Sequence, residues 1–280
     1  MKKCLIIINT HKKESEKLGN RIKAFLKDYS IEVSFISFNG GDFNYHFDGF
    51  DFVITLGGDG TVLYACRGCL HLGIPVFPIN LGEFGFIAGI QKDEWEENLV
   101  NFLEGKSKIE ERTMILVNVI RDGKVVYTEN ALNDAVISAE TVASTTLLDI
   151  ASNNIPLGQF KADGVIVSTA TGSTAYSVSA GGPIIDPELD ALVLTPLNPF
   201  SLSARPLVFN PDSTLSIRML PNRDKKAVLT VDGLPLVKLF EKDLVTVCKA
   251  EKKARLVGTT IEKFYNALRF KLNWAGGPHA

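Results

Sequence analysis

The chain has 280 residues, 45% of them hydrophobic and 9% aromatic, which is enough for sizeable cores in two domains of ordinary size. Its 30 Lys and Arg against 32 Asp and Glu leave a formal charge of −2. General nucleic-acid and membrane-surface binders carry a basic excess, so neither partner is expected. The apolar run after Lys3 stops at Asn9, too soon for a signal peptide, and no segment approaches the ~18 apolar residues of a membrane span. A soluble, cytoplasmic protein is expected.

Leu5 to Ile8 is a continuous apolar run, as in a strand buried on both faces of a parallel sheet. Leu18, Ile22, Phe25 and Leu26 recur at helical spacing and predict a helix over Ser15 to Asp28. Ile31, Val33 and Phe35 alternate with polar residues in a second strand, which Asn39-Gly40-Gly41-Asp42 breaks. Phe52 to Leu56 is a third strand. A glycine loop follows, then a helix to about Leu72. Ile74 to Ile79 is a fourth strand, and Pro75 and Pro78 suggest that it lies at an edge. Leu81-Gly82-Glu83-Phe84-Gly85-Phe86 reads as a glycine-punctuated loop. Asp93-Glu94-Trp95-Glu96 resembles a capping box, with the helix running to about Glu104 and Gly105 as its stop. Strands alternating with helices predict an α/β domain with a mostly parallel sheet over residues 1–108.

The texture then changes. Ile115, Val117 and Val119 begin an alternating strand, and Asp122-Gly123 makes a hairpin turn before Lys124-Val125-Val126-Tyr127. A second hairpin links Thr145–Ala151 to Ile155–Leu157. Val165–Ser168, Leu215–Leu220, Ala227–Val231 and Leu244–Cys248 are further strands, so residues 109–255 read as an all-β, sandwich-like domain. Residues 256–280 include an apolar stretch, Ile261 to Leu272, expected to return to the first domain, and a frayed tail, 275–280.

Two stretches carry candidate chemistry. In Gly57-Gly58-Asp59-Gly60-Thr61, three glycines surround one carboxylate where a strand turns into a helix. Such a turn admits a phosphate, because the first N–H groups of the helix lack partners and favour negative charge. A carboxylate there either holds a metal or accepts a proton. In the second stretch, Asp163 to Pro183, a short apolar strand feeds hydroxylated residues and Tyr176. These groups can hydrogen-bond a base and its sugar, and the tyrosine can stack on a flat ring. Asn133-Asp134 adds one amide and one carboxylate. Cys66 and Cys69 have CxxC spacing without a second ligand pair, so they read as buried apolar groups, and no resident metal is assigned. No GxxxxGK[ST], GxGxxG or HExxH occurs, which excludes a P-loop, the usual dehydrogenase fingerprint and a zinc protease.

With both stretches in view, the chain resembles the bacterial NAD kinases over nearly its whole length. Gly57 to Thr61 matches a motif that lipid kinases and phosphofructokinases also carry in related form. Asp163 to Pro183 matches a far more specific one, with Ala170 where the family commonly has proline. Asn133-Asp134, Thr195 to Pro206, Val231-Asp232-Gly233 and Leu268 to Trp274 match further segments. The resemblance implies Mg²⁺-dependent transfer of the ATP γ-phosphate to the 2′-hydroxyl of the NAD adenosine ribose. Asp59 would take the hydroxyl proton, and Gly60 would admit the dinucleotide. Gly57, Gly58 and Thr61 would meet phosphates. Asn133 would bind adenine and Asp134 the ribose. Thr171, Thr174, Ala175 and Tyr176 would enclose the base, with Ser177 and Ser179 close by and Lys161 among the substrate contacts. Asp163 would bind the nicotinamide amide on a neighbouring subunit of a dimer or tetramer. The site expected from the resemblance is a cleft between the two domains. The alternatives are a lipid or sugar kinase sharing only the first motif, and a dinucleotide sensor without turnover.

Overall fold

The computed structural model describes residues 1–40, 47–82, 85–141, 144–221 and 226–274. Gly41, Asp42, Glu83, Phe84 and the 275–280 tail, on which expectations were placed, lie outside them. The chain divides into two compact units, 1–112 with 252–280, and 113–251. No helix among the described residues is long and apolar enough to cross a membrane.

The first unit contains β1 (Lys3–Asn9), α1 (Ser15–Asp28), β2 (Glu32–Phe38), β3 (Phe52–Gly57), α2 (Asp59–Leu70), β4 (Val76–Asn80), β5 (Ile90–Gln91), α3 (Trp95–Leu103) and β6 (Ile109–Arg112). Its sheet runs β2-β1-β3-β4, then the late strand Ala254–Val257, then β6, with β5 also on β4. Pairing is parallel except for β6 on the late strand. Continuous apolar runs form the inner strands because helices cover both faces. Leu18, Ile22 and Leu26 of α1 and Trp95 and Leu99 of α3 share one core with Cys4, Ile6, Ile54, Leu56 and Ile79. Nine of the twelve residues of α2 are buried, including the free thiols Cys66 and Cys69.

Strand order reverses between β1 and β3, since one chain crossover leads from β1 outward to β2 and the other from β3 to β4. Ligands of open α/β sheets collect beyond the carboxyl ends of strands at such a switch point. The glycine loop stands there.

Two expectations change. β4 is interior, not an edge strand. Its register on the outer side has partners at Val76 and Ile79 but none at Phe77 or Pro78 among the described residues, so the proline sits where that ladder is interrupted. The capping box is also absent: α3 starts at Trp95 with Glu94 at its N-cap and no side-chain cap bond.

The second unit holds β7 (Ile115–Arg121), β8 (Lys124–Ala131), β9 (Asp134–Ala139), β10 (Thr146–Ser152), β11 (Ile155–Ala162), β12 (Gly164–Thr169), β13 (Leu192–Leu197), β14 (Leu207–Phe209), β15 (Leu215–Met219), β16 (Ala227–Val231), β17 (Val237–Leu239) and β18 (Leu244–Lys249). They make two six-stranded antiparallel sheets, β11-β10-β15-β18-β7-β8 and β14-β13-β12-β9-β16-β17. Asp122 and Gly123 turn the first hairpin at φ 49° and 75°, as type I′ geometry requires. Asn153 and Asn154 turn the second at φ 50° and 65°. β12 and β13 are buried along their whole length, and the chain leaving β12 forms a 3₁₀ turn (Thr171–Thr174) and the short α4 (Tyr176–Ser179).

The chain then returns to the first unit as β19 (Ala254–Val257) and α5 (Ile261–Lys271), which buries Phe264, Ala267 and Leu268. β6 lies in the first sheet, so the first crossing falls after Arg112 instead of after 108. Its sequence, Ile-Glu-Glu-Arg, looks polar, yet Glu110 and Arg112 are buried. Arg112 faces the Glu110 carboxylate at 3.7 Å and donates to Thr259 O at 2.8 Å.

Candidate active site

In the first unit, Asp59 opens α2 directly after the extended Gly58. Its carboxylate does not point idly to solvent. Oδ1 accepts the main-chain N–H groups of Ile87 (3.3 Å) and Ala88 (2.9 Å), and Oδ2 accepts that of Phe86 (3.1 Å). A carboxylate offers about four lone-pair sites. Three are used, and the fourth is on Oδ2. Gly85 is required beside it, because a Cβ there would collide with the carboxylate. The role of Phe86 to Ala88 was not legible from local pattern. The only hint is the spacing of Gly85 and Gly89 around them.

The glycines of the loop divide by environment. A Cβ on Gly57 would overlap Thr61 Oγ1 and press on Asn9 Cβ at 3.2 Å, whereas Cβ atoms on Gly58 or Gly60 would meet nothing within 4 Å. Gly57 is therefore a packing glycine, and Gly58 and Gly60 present an open surface. Thr61, expected to meet a phosphate, has its side chain buried against β1. It is 1% exposed, its hydroxyl accepts from Asn9 Nδ2 at 3.0 Å, and its N–H donates to Gly58 O at 2.9 Å. By helix geometry the N–H groups of Asp59 and Gly60 remain without intrahelical partners.

These environments make opposite predictions for the same substitution. Gly57→Ala should lose about 1–3 kcal/mol through overpacking. Gly60→Ala should melt at or above the wild-type temperature, since alanine is the better helix former by about 1 kcal/mol. It should nevertheless lose turnover, because the new methyl group occupies the open face. Thermal melts beside steady-state kinetics check both.

In the second unit, Asn133 and Asp134 lead into β9. Asp232, at φ 47° in an Asp-Gly turn, holds them: its carboxylate accepts N–H groups from Leu132 (2.8 Å), Asn133 (2.8 Å) and Asp134 (3.1 Å). The carboxamide of Asn133 makes no bond to a described residue. Asp134 is buried, and its carboxyl is pushed up to about 7, first by burial and then by the charge of Asp232. The nearby Tyr176 N–H works in the opposite direction. The Asn133-Asp134 turn and the start of α4 are thus neighbours. Gly172 packs on the same turn, since a Cβ there would overlap Asn133 O.

The other expected substrate residues separate. Tyr176 is 49% exposed, and Thr174, Ala175 and Ser179 are at least partly accessible. Thr171 is 8% exposed, and its carbonyl accepts the Thr174 hydroxyl at 3.2 Å. Ser177, expected among the substrate contacts, is fully buried and bonded to Thr195 Oγ1 at 2.9 Å, so it braces the loop on β13. Asp163 Oδ2 accepts from Asn198 Nδ2 at 3.0 Å. Lys161 places its ammonium over Phe200, 4.9 Å from the ring centroid, at the wall of a separate cavity that also includes Arg205.

Among known families, the ATP-NAD kinase N-terminal domain model matches residues 44–107, and the ATP-NAD kinase C-terminal domain model matches residues 132–259. An NAD kinase of Treponema denticola is 44% identical over 277 residues, covering 99% of this chain and 98% of the relative. An NAD kinase of Treponema pallidum is 41% identical over 275 residues, covering 98% and 90%. Among solved structures, yeast NADH kinase complexed with NADH superposes with a TM-score of 0.88 at 24% identity, over 99% of this chain and 89% of that one. An NAD kinase from Archaeoglobus fulgidus in complex with ATP does so with a TM-score of 0.75 at 24% identity, over 95% and 96%. The two superpositions establish a shared fold.

Proposed function

The chain belongs to the NAD kinase family, and from that premise we propose that it moves the γ-phosphate of ATP to the 2′-hydroxyl of the adenosine ribose of NAD. The observation that carries this is the remaining acceptor site on Asp59 Oδ2, on a residue flanked in the chain by Gly58 and Gly60 with their open surface. The 2′-oxygen attacks phosphorus, the bond to the β-phosphate oxygen breaks, ADP leaves, and the hydroxyl proton passes to the Asp59 carboxylate. Phosphoryl transfer needs positioning and charge neutralisation more than covalent help. The N–H bonds from Phe86, Ile87 and Ala88 fix the carboxylate before substrate arrives, so little reorientation remains at the moment of transfer.

The residues present fit Mg²⁺ carried in on the nucleotide. No cluster of three or more acidic, His or Cys ligands occurs among the described residues, and Mg²⁺ is often held by one or two carboxylates plus substrate phosphates. The one open acceptor site of Asp59 is given to the hydroxyl proton, so the ion would be held by the substrate phosphates and water. The ion would neutralise charge on the transferring group.

On this reading, the Asn133 carboxamide pairs with the adenine edge. Asp134 bonds the ribose hydroxyls, and Tyr176 covers the base with Thr171, Thr174, Ala175 and Ser179 beside it. Exposed Phe200 and Leu202, 77% and 91% accessible, are suited to a contact between copies, with Lys161 and Asp163 nearby for a substrate shared across it. Purified protein incubated with NAD, ATP and Mg²⁺ should form NADP, read by an NADP-specific dehydrogenase. Phosphorylation of a lipid or sugar with no NADP formed would overturn the proposal.

A further inference from the structure

Lys12 has no place in the scheme above, yet its backbone is held on both sides, while its side chain is exposed. Its backbone N–H donates to Asn9 O at 3.0 Å, and its carbonyl accepts the Ser15 N–H at 3.0 Å. Asn9 in turn reaches α2 through Thr61 Oγ1 and receives the His11 N–H on its own Oδ1 at 3.0 Å. The β1–α1 loop is thus tied to the first turn of the helix that Asp59 opens. On the other side, Leu81 N–H donates to Gly57 O at 2.8 Å, and Gly82 N–H donates to Asn80 Oδ1 at 3.0 Å. The carboxyl ends of β1, β3 and β4 therefore form one continuous rim. The Lys12 ammonium lies against that rim, 3.1 Å from where a Cβ on Gly82 would stand.

The charge of Lys12 is not spent. Its ammonium makes no ion pair or hydrogen bond with a described residue. Nearby Lys92 pairs with Glu14 at 2.9 Å, so the acid of this loop is already committed elsewhere. A long flexible cation at a strand rim, without an ion-pair partner among the described residues, is suited to a polyanion. A side chain at Gly82 would crowd the ammonium.

We propose that Lys12 contacts the phosphate chain of the donor nucleotide. The inference rests on the kinase reading above and adds to it a donor-side residue. Lys12 serves as a mobile counter-charge that steadies the chain while its last phosphate is transferred.

The test is kinetic, on the full chain. Lys12→Ala should raise KM for ATP by about 10–50-fold, the range expected for one lost charge-assisted contact. KM for NAD should stay within about twofold and the melting temperature within about 2 °C. Inorganic tripolyphosphate should inhibit wild type competitively against ATP and lose affinity for Lys12→Ala by a similar factor, since phosphate and not the base is recognised. Lys12→Arg should restore most of the ATP affinity, and the neighbouring Lys13→Ala should change neither KM. An unchanged KM for ATP in Lys12→Ala, or equal rises in both KM values, would overturn the assignment. Failure of wild type itself to make NADP would instead overturn the kinase reading, so the two failures are distinguishable.

Discussion

Asp59→Asn should lower kcat for NADP formation by about 10²–10⁴-fold, the usual range for a lost general base. The structure adds a second consequence. An asparagine can keep its oxygen toward Ile87 and Ala88, but its NH₂ then faces the N–H of Phe86, donor against donor. The Phe86 amide should exchange faster with solvent, and the fold should lose about 1.5–3 kcal/mol, the value of a bond to a charged acceptor. Asp59→Glu keeps the charge but extends it by one methylene, past the position that three main-chain donors define. It should be nearly as inactive, which distinguishes a placed base from a mere negative charge. Steady-state kinetics with amide exchange at Phe86 to Ala88 measures both effects. Near-normal turnover in Asp59→Asn would remove this residue from the proposed chemistry.

Asp232→Ala should be the most damaging change in the second unit. It removes the acceptor for three N–H groups at once, and each unsatisfied donor costs about 1–3 kcal/mol when desolvated. A loss of about 3–4 kcal/mol, with KM for NAD raised tenfold or more, is expected because Asn133 and Asp134 lose their anchor. The substitution also removes the second cause of the raised Asp134 pKa, leaving burial, and so moves that pKa down. The wild-type sign follows from a folded pKa of about 7 against an ordinary 3.8. Between those values the folded chain binds the extra proton, so stability is fullest below about 3.8 and is lost as pH rises to about 7. At about 1.4 kcal/mol per unit, this group accounts for about 4 kcal/mol across the window. Asp134→Asn should flatten that slope. Urea melts from pH 5 to 8 give the answer, and an unchanged slope in Asp134→Asn would show that the buried carboxyl is not its source.

Local pattern carried the helices and the central strands well. α1 spans Ser15–Asp28 because its apolar spacing and its bounding residues agree, and β16 spans Ala227–Val231 because an apolar run lies between turn residues. Pattern could not tell which way a short hydroxyl faces. Thr61 and Ser177 look like ligand groups in their motifs, yet both turn inward to Asn9 and Thr195, residues 52 and 18 positions away. The Asp232 anchor spans 98 to 100 positions and only an Asp-Gly turn marks it. β6 was missed for a different reason. Its buried Glu110 and Arg112 find their close partners in Lys108 and Thr259 O, and polar residues in a four-residue strand read as surface.

The antiparallel pairing of β6 with β19 has a consequence for synthesis. Arg112 stands opposite Ala254, so the 139 residues of the second unit leave and rejoin the first sheet through neighbouring strands. A ribosome making this chain finishes the whole inserted unit before it supplies the strand that completes the first. The glycine rim, although encoded early, belongs to a sheet that closes last. Until residue 257 emerges, the outer edge of β4 is covered only by the two residues of β5. The sheet that carries the glycine rim therefore gains its last strand only after the inserted unit has been made.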